Sequence, residues 1–119
     1  MGKSVIIIGA GVVGLACGSE LSKKGYEVFI AEQEIYIASQ TSARNSGVIH
    51  AGIYYPSNSL KAKLCTRGKQ LLYKYCEQFG VTYSRTQKLI VATTSDETQI
   101  LLKLRETAAN NGVVLELIS

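Results

Sequence analysis

Three glycines spaced as Gly9-x-Gly11-x-x-Gly14 have the clearest chemical use in this sequence. They follow the β-branched run Ser4–Ile8 and precede a helical pattern, so they indicate a turn between a strand and a helix. Gly9 permits a tight turn, Gly11 lets the backbone approach a pyrophosphate, and Gly14 lets the helix pack closely on the sheet. The helix N-terminus then offers N–H groups and a partial positive charge to phosphates.

A single carboxylate, Glu32, follows the second apolar run of the chain at residues 26–31. In dinucleotide-binding βαβ units, an acid about 20 residues beyond the glycines accepts hydrogen bonds from ribose hydroxyls. The same negative charge disfavours a 2′-phosphate, so NADP is not expected. The glycines and the acid together predict dinucleotide binding and leave FAD and NAD both open.

A strand, a helix and a second strand must position these residues. Residues 4–8 lack polar alternation, as expected of a strand buried on both faces of a parallel sheet. Residues 12–24 have a helical pattern that stops at Gly25, and one face of that helix would carry Gly14, Cys17, Gly18 and Leu21. Strand, helix and strand within about 30 residues form one right-handed βαβ unit.

The remainder of the chain predicts a loop, two helices and three short strands. Residues 33–59 have no sustained period, which is typical of a functional loop. One helix begins after residues 57–59 and ends at Gly80, and a capping box of Thr94 and Glu97 begins another. We expect their buried faces to consist of Leu60, Leu64, Gly68, Leu71, Leu72, Tyr75 and Phe79 in the first and of Ile100, Leu101, Leu104 and Ala108 in the second. Short strands are predicted at residues 81–83, 89–92 and 113–118.

The charge and the cysteine and histidine counts exclude several classes of function. Thirteen Lys and Arg against nine Asp and Glu give +4 without a long basic run, so nucleic-acid binding is not expected. Three cysteines without a CxxC pair and a single histidine predict no metal site. Reduced thiols favour a cytoplasmic protein. The apolar run at residues 5–8 is too short to span a membrane, while peripheral contact with a membrane stays open.

Small polar residues are concentrated in residues 41–55. Their hydroxyl and amide groups can hydrogen-bond a diphosphate or the edge of a ring, and Gly47 and Gly52 let the backbone lie close to such a ligand. A polar surface loop that binds nothing has a similar composition. The residue types alone therefore leave both interpretations open.

The sequence NSGVIHAGIYY at residues 45–55, followed by SLKAKLC, KLIVAT and TAANNGV, resembles the L-2-hydroxyglutarate oxidase/dehydrogenase family. These are FAD enzymes of the D-amino-acid-oxidase-like group, and the resemblance runs from Val5 to Val113. It implies that the cofactor is FAD. It also implies oxidation of L-2-hydroxyglutarate, or a similar small 2-hydroxy acid, to the 2-oxo acid. Arg44 and Gln87 depart from the family pattern, where many relatives carry histidine and glycine.

The resemblance also implies roles for individual residues. The three glycines and Glu32 would bind the ADP part of FAD. The next segment would run along the pyrophosphate and the flavin, with contacts from Thr41, Ser42, Asn45, Ser46, Gly47 and Ile49. His50, Tyr54 and Tyr55 would face the substrate side of the flavin. Histidine is the commonest general base, so His50 is a candidate catalytic base, while a structural His50 with the base in another part of a longer protein stays open. Tyr54 and Tyr55 are expected to pack or to orient the substrate. Related glycerol-3-phosphate dehydrogenases carry arginine at the position of Tyr54, so a phosphorylated substrate is not expected.

The expected fold is α/β, with a partial Rossmann-like FAD-binding βαβ domain at residues 1–80. The opening strands and helix of a truncated substrate domain would follow at residues 81–119. Family members are several-fold longer, so we expect an N-terminal fragment that is inactive alone. In one arrangement, a second polypeptide would carry the remainder of the enzyme. Two other functions stay open, an FAD-dependent amine or amino-acid oxidase and a non-catalytic remnant of a truncated gene.

Overall fold

The computed structural model describes residues 2–118, which form two parallel strands and three α-helices. Their bounds are β1 Ser4–Ile8, α1 Val12–Lys23, β2 Glu27–Ala31, α2 Leu60–Phe79 and α3 Ser95–Asn110, with a single 3-10 turn at Thr41–Ala43. The chain divides into two compact units, Met1–Val48 and Ile49–Ser119. Within residues 2–118, none of the helices has the length and apolar composition that crossing a membrane requires.

The first unit contains the predicted βαβ motif. β1 and β2 pair in parallel, with Ser4 opposite Glu27 and Ile8 opposite Ala31. The crossover helix α1 begins directly after Gly11. Because the strands are parallel, their carboxyl ends lie at the same edge of the sheet, which is where open α/β sheets bind ligands.

α1 packs on the sheet through Gly18. A Cβ built at Gly18 would lie 3.2 Å from Ile30 Cδ1 and 3.4 Å from Ile7 Cδ1, so the missing side chain permits this close approach. Cys17 is exposed, and its predicted place on the packed face is therefore wrong. Successive residues lie about 100° apart around a helix. The face of α1 that contacts the sheet is the one that carries Gly18, and Cys17 lies to the side of it.

The other face of the sheet is exposed. Ile6 is 68% exposed and Ile8 is 83% exposed, whereas the apolar run predicts burial on both faces. That prediction is wrong for the described residues because the single helix of the first unit packs on the face that carries Ile7.

α2 begins and ends where the sequence predicts. The Oγ of Ser59 accepts a hydrogen bond from the N–H of Ala62 at 3.1 Å, and Gly80 ends the helix with a φ of 66°. The buried residues of α2 are Ala62 and Cys76. The predicted face is exposed instead, at Leu60, Leu64, Gly68, Leu71, Leu72, Tyr75 and Phe79. Helical periodicity identifies an apolar stripe, but it does not specify which stripe contacts the rest of the unit.

α3 begins with the predicted capping box, in which Thr94 Oγ1 accepts from the N–H of Glu97 and the Glu97 carboxylate accepts from the N–H of Thr94. Its C-terminal half joins a small core of Ile53, Ala108 and Val113, surrounded by Ala51, Ile90, Leu104 and Leu115. Ile100 is 63% exposed, contrary to the prediction, because it lies one turn before Leu104, where α3 begins to pack against this core.

The three short strands predicted after α2 are not formed. Residues 81–83, 89–92 and 113–118 pair with no other segment, and the described sheet contains only β1 and β2. A strand requires a partner for its backbone hydrogen bonds, and β-branched composition does not supply one. Ile90, Val113 and Leu115 instead bury side chains in or against the core of the second unit.

Candidate functional site

A cleft of about 390 Å³ lies in the first unit at the carboxyl edge of β1 and β2. The ends of both strands, the glycine turn and the segment at residues 38–42 form its walls. Its lining residues are Ile8, Gly9, Gly11, Ala31, Glu32, Gln33, Ala38, Ser39, Gln40, Thr41 and Ser42. The fold therefore brings together five residues predicted to bind the cofactor, namely Gly9, Gly11, Glu32, Thr41 and Ser42.

The glycine turn has the conformation that a diphosphate site requires. Gly9 has a φ of 96°, which side chains disfavour, and its N–H donates to the carbonyl of Ala31 at 2.7 Å. Gly11 is the N-cap of α1 and lines the cleft. The start of α1 suits an anion, since a helix N-terminus carries N–H groups without intrahelical partners and a partial positive charge.

Gly14 contributes by allowing α1 to begin close to the turn. It does not line the cleft, and a Cβ built on it would overlap the carbonyl oxygen of Gly9. Any side chain at Gly14 must therefore push the helix away from the backbone of the turn. The third glycine of the motif serves packing, as the sequence predicts.

Glu32 joins the end of β2 to the glycine turn. Its Oε2 accepts a hydrogen bond from the N–H of Ala10 at 2.7 Å, and its Oε1 accepts from the N–H groups of Gln33 and Glu34 at 2.8 and 3.0 Å. The backbone hydrogen bonds from Glu34, Ala10 and Gln33 lower the pKa of Glu32, with that from Glu34 the largest cause, and partial desolvation opposes them. A carboxylate accepts about four hydrogen bonds, so acceptor capacity remains for a ribose hydroxyl.

The lowered pKa of Glu32 predicts a loss of stability in acid. Because its folded pKa lies below the ordinary value of 4.5, the contribution is complete above that value and falls as the pH drops through the folded pKa. Glu32→Gln should be less stable than the unmodified chain at neutral pH, and the difference should shrink below pH 4.5. Thermal unfolding followed by circular dichroism across this range measures it. The exposed Glu106→Gln is the matched control, and an equal acid response in both variants would contradict the prediction.

Ser42 is the loop residue that reaches the start of α1. Its Oγ accepts a hydrogen bond from the N–H of Val12 at 3.0 Å and would lie 3.3 Å from a Cβ at Gly11. A hydroxyl at this place satisfies one amide of the helix N-terminus and keeps its own proton for donation to a phosphate oxygen. The geometry therefore suits the contact that the resemblance implies.

Asn45 shapes the next part of the loop. Its Nδ2 donates to the carbonyl of Ser42, and its Oδ1 accepts from the N–H of Gly47 at 2.7 Å. Asn45, Ser46 and Gly47 do not line the cleft, and Ile49 is the first residue of the second unit. Contact of these four residues with a cofactor stays a prediction.

His50, Tyr54 and Tyr55 lie in the second unit, and two of them are in direct contact. His50 Nδ1 lies 2.7 Å from Tyr55 Oη, with the two rings stacked. Lys61 Nζ lies 4.6 Å from the centre of the Tyr55 ring, and Lys88 Nζ lies 4.7 Å from that of Tyr54. The candidate base and both tyrosines are therefore each close to a polar or cationic partner.

Three residues of these two sites could not be identified from the sequence. Ala38 lines the cleft with a φ of 56°, and its N–H donates to the carbonyl of Ala10 at 3.0 Å. Lys61 and Lys88 stack on tyrosines, yet no sequence signal separates them from the other lysines. Residues brought together by loop conformation have no periodicity that could reveal them.

The cleft of the first unit fits the ADP part of FAD. A diphosphate requires bare backbone beside a helix N-terminus, which Gly9 and Gly11 provide. A ribose requires an acceptor for its hydroxyls, which the carboxylate of Glu32 provides. FAD, when bound, supplies the acceptor of a hydride, and these residues would hold it.

Comparison with known proteins agrees with this geometry. The family model described as FAD dependent oxidoreductase matches residues 4–119. The protein named L-2-hydroxyglutarate dehydrogenase, mitochondrial, from Arabidopsis thaliana is 52% identical over 91% of this chain and 22% of its own length. The proteins of the same name from Dictyostelium discoideum and Homo sapiens are 49% and 44% identical over 92% of this chain, and 25% and 24% of their own lengths. The chain thus spans about a quarter of these curated relatives.

The family match extends over β1, the glycine turn, α1, β2 and the whole second unit. It confirms the predicted α/β class and the predicted cofactor, FAD. The chain belongs to the family of FAD-dependent oxidoreductases.

Proposed function

We propose that a full-length protein containing this chain oxidises L-2-hydroxyglutarate, or a similar 2-hydroxy acid, to the 2-oxo acid. The observation that carries the proposal is the 44 to 52% identity to proteins named L-2-hydroxyglutarate dehydrogenase. The NSGVIHAGIYY segment at residues 45–55, which holds the candidate substrate-side residues, lies within the region that the family model matches. The FAD cleft of the first unit supports the redox part of the proposal.

The residues proposed to hold the cofactor act through backbone and small side chains. Gly9, Gly11 and Ser42 would receive the diphosphate, and Glu32 would receive the ribose. Gly14 would keep α1 close enough to the turn for its N-terminal amides to reach the phosphates. The contacts of Thr41, Asn45, Ser46, Gly47 and Ile49 belong to the same proposal.

His50 is the proposed acceptor of the proton from the substrate hydroxyl. A neutral imidazole has one N–H and one free lone pair. If Nδ1 carries the proton and donates to Tyr55 Oη, Nε2 keeps a lone pair for the substrate. If Tyr55 donates to Nδ1 instead, Nε2 carries the proton and cannot accept another. A catalytic His50 therefore requires the first arrangement, in which Tyr55 orients the base.

Positive charge close to the tyrosines suits a substrate with carboxylates. Lys61 lies over the ring of Tyr55 and Lys88 lies over the ring of Tyr54. A lysine held on an aromatic face keeps its ammonium donors available to an anion. This arrangement favours an acidic small molecule over a neutral one.

The predicted division at residue 80 and the predicted compartment also stay proposals. Residues 1–80 would belong to the FAD domain and residues 81–119 to the start of the substrate domain, with the remaining parts on the same or a second polypeptide.

The free thiols Cys17, Cys65 and Cys76 fit a reducing compartment such as the cytoplasm, and peripheral contact with a membrane stays open. The relatives from Arabidopsis thaliana, Dictyostelium discoideum and Homo sapiens, in contrast, have mitochondrial in their names.

The test uses a polypeptide of the relatives' full length that contains this sequence, purified with FAD. L-2-Hydroxyglutarate should bleach the flavin absorbance under anaerobic conditions, whereas the D-isomer, amino acids and glycerol 3-phosphate should not. Bleaching by an amino acid alone would replace the proposal with an amine oxidation. A flavin that no 2-hydroxy acid reduces would refute it.

A further inference from the structure

Asn111 connects the end of α3 to the segment that carries the substrate-side tyrosines. Its Nδ2 donates to the carbonyl of Gly52 at 3.0 Å and to the carbonyl of Tyr55 at 2.8 Å. One carboxamide thus bridges the two ends of the 52–55 segment, from a position more than 50 residues away in sequence. In the sequence, Asn111 followed by Gly112 indicates only the end of a helix.

The backbone of Asn111 is itself rigidly held. Its own N–H bonds to the carbonyls of Thr107 and Ala108, and Val113 N–H donates to the carbonyl of Ala108 at 2.8 Å. Ala108 is fully buried and packs with Val113 and Ile53. The carboxamide therefore extends from a capped helix end anchored in the core of the second unit.

The two residues whose carbonyls accept from Asn111 are also restrained by other contacts. Gly52 has a φ of 92°, and a Cβ there would lie 2.7 Å from Thr66 Cγ2 of α2. Tyr55 has its ring under Lys61 and its hydroxyl against His50 Nδ1. The bond to the Tyr55 carbonyl fixes the main chain from which this hydroxyl is directed.

The hydrogen bonds of the Asn111 carboxamide to the described residues are both donated by its Nδ2. Its Oδ1 is buried and has no hydrogen-bond partner among the described residues. What the side chain supplies is the pair of hydrogen bonds that its Nδ2 donates.

We propose that Asn111 is a positioning residue that fixes the 52–55 segment and, through Tyr55, sets the orientation of His50. Loss of the Nδ2 donor frees the Tyr55 carbonyl and allows its side chain to leave His50 Nδ1. The consequence for catalysis rests on the proposed function, whereas the effect on His50 itself does not. The two are therefore tested separately.

The first test follows the imidazole nitrogens of His50 by NMR in the untagged, ¹⁵N-labelled chain. His50 is the only histidine, so its signals are unambiguous. Asn111→Asp keeps the shape but removes the donor, and Asn111→Ala removes the whole carboxamide. Tyr55→Phe shows the spectrum without the tyrosine hydroxyl, and the exposed Asn110→Asp is the matched control. Circular dichroism checks that each variant is folded.

We expect both Asn111 variants to lose the Nδ1 signal of the bonded imidazole and to move toward the Tyr55→Phe spectrum, while Asn110→Asp matches the unmodified chain. An unchanged His50 spectrum in folded Asn111→Asp would overturn the proposal. Unfolding of both Asn111 variants would also overturn it, because the residue would then serve stability rather than positioning.

The second test measures turnover in the full-length protein. Asn111→Asp should lower kcat by about tenfold to a hundredfold, as misplacement of a catalytic group does, with flavin content and KM for the hydroxy acid little changed. A fall in flavin content that accounts for the whole effect would overturn the positioning role in catalysis. Altered His50 signals with unchanged kcat would uphold the positioning and refute His50 as the base.

Discussion

Gly14→Ala should destabilise the first unit by about 3 kcal/mol, near the upper end of what overpacking costs. The Cβ of alanine would overlap the carbonyl oxygen of Gly9, and this oxygen belongs to backbone that cannot rotate away. α1 would have to shift, which would weaken its contact with β1 and β2. We therefore expect lower helix content and a lower midpoint of thermal unfolding, both measured by circular dichroism.

Two other helical glycines provide a graded comparison for Gly14. The three atoms nearest to a Cβ at Gly18 would be methyl groups of Ile30, Ile7 and Val28, at 3.2 to 3.5 Å. A Cβ at Gly68 would meet nothing within 4 Å, so Gly68→Ala should stabilise α2 by about 0.5–1 kcal/mol. The expected order of stability is Gly68→Ala, then Gly18→Ala, then Gly14→Ala. A Gly14 variant as stable as the Gly18 variant would contradict the packing argument.

The elements formed by local interactions could be predicted from the sequence. The glycine turn needs a residue with positive φ at Gly9, and α2 and α3 need caps that Ser59 and Thr94 provide. Each of these signals depends on atoms within a few residues of one another. The βαβ motif was equally accessible, because its strand, turn, helix and acid follow in sequence order.

Features that depend on distant partners could not be predicted in the same way. The apolar residues at 89–92 and 113–118 indicate strands, but a strand forms only where another strand is available. The exposed Leu64 and the buried Cys76 lie on different faces of α2, and only the packing of the unit decides between these faces. The bonds from Asn111 to Gly52 and Tyr55 were inaccessible for the same reason, since Asn-Gly after a helix indicates only its end.

The residues of the candidate site differ in the same way in how well the sequence predicts their place. The cofactor residues predicted from the motif, Gly9, Gly11 and Glu32, all line one cleft, because a βαβ unit places them at the same sheet edge. The loop residues were predicted from resemblance, and among them Thr41 and Ser42 line that cleft. Asn45 instead stabilises a local turn, a role that its side-chain chemistry suits equally well.

Gly11→Val should weaken the binding of FAD while leaving the first unit folded. Gly11 has a φ of −74° and a ψ of 175°, which valine adopts without strain. A Cβ there would meet only Ser42 Oγ at 3.3 Å, and a serine hydroxyl can rotate aside. The remaining branches of valine would occupy the cleft at the start of α1, where the pyrophosphate is proposed to bind. A misfit of about 1–3 kcal/mol corresponds to an increase in Kd of about tenfold to a hundredfold.

Quenching of flavin fluorescence on titration with the chain measures this Kd, and circular dichroism measures the fold of each variant. Gly2→Val is the matched control, because a Cβ at Gly2 meets nothing within 4 Å and Gly2 does not line the cleft. Comparison with Gly14→Ala separates the two roles within the motif, since that variant should lose stability and binding together. A Gly11 variant with the same Kd as the Gly2 control would show that the pyrophosphate does not approach this backbone. The cleft of the first unit would then have to bind the cofactor in another orientation.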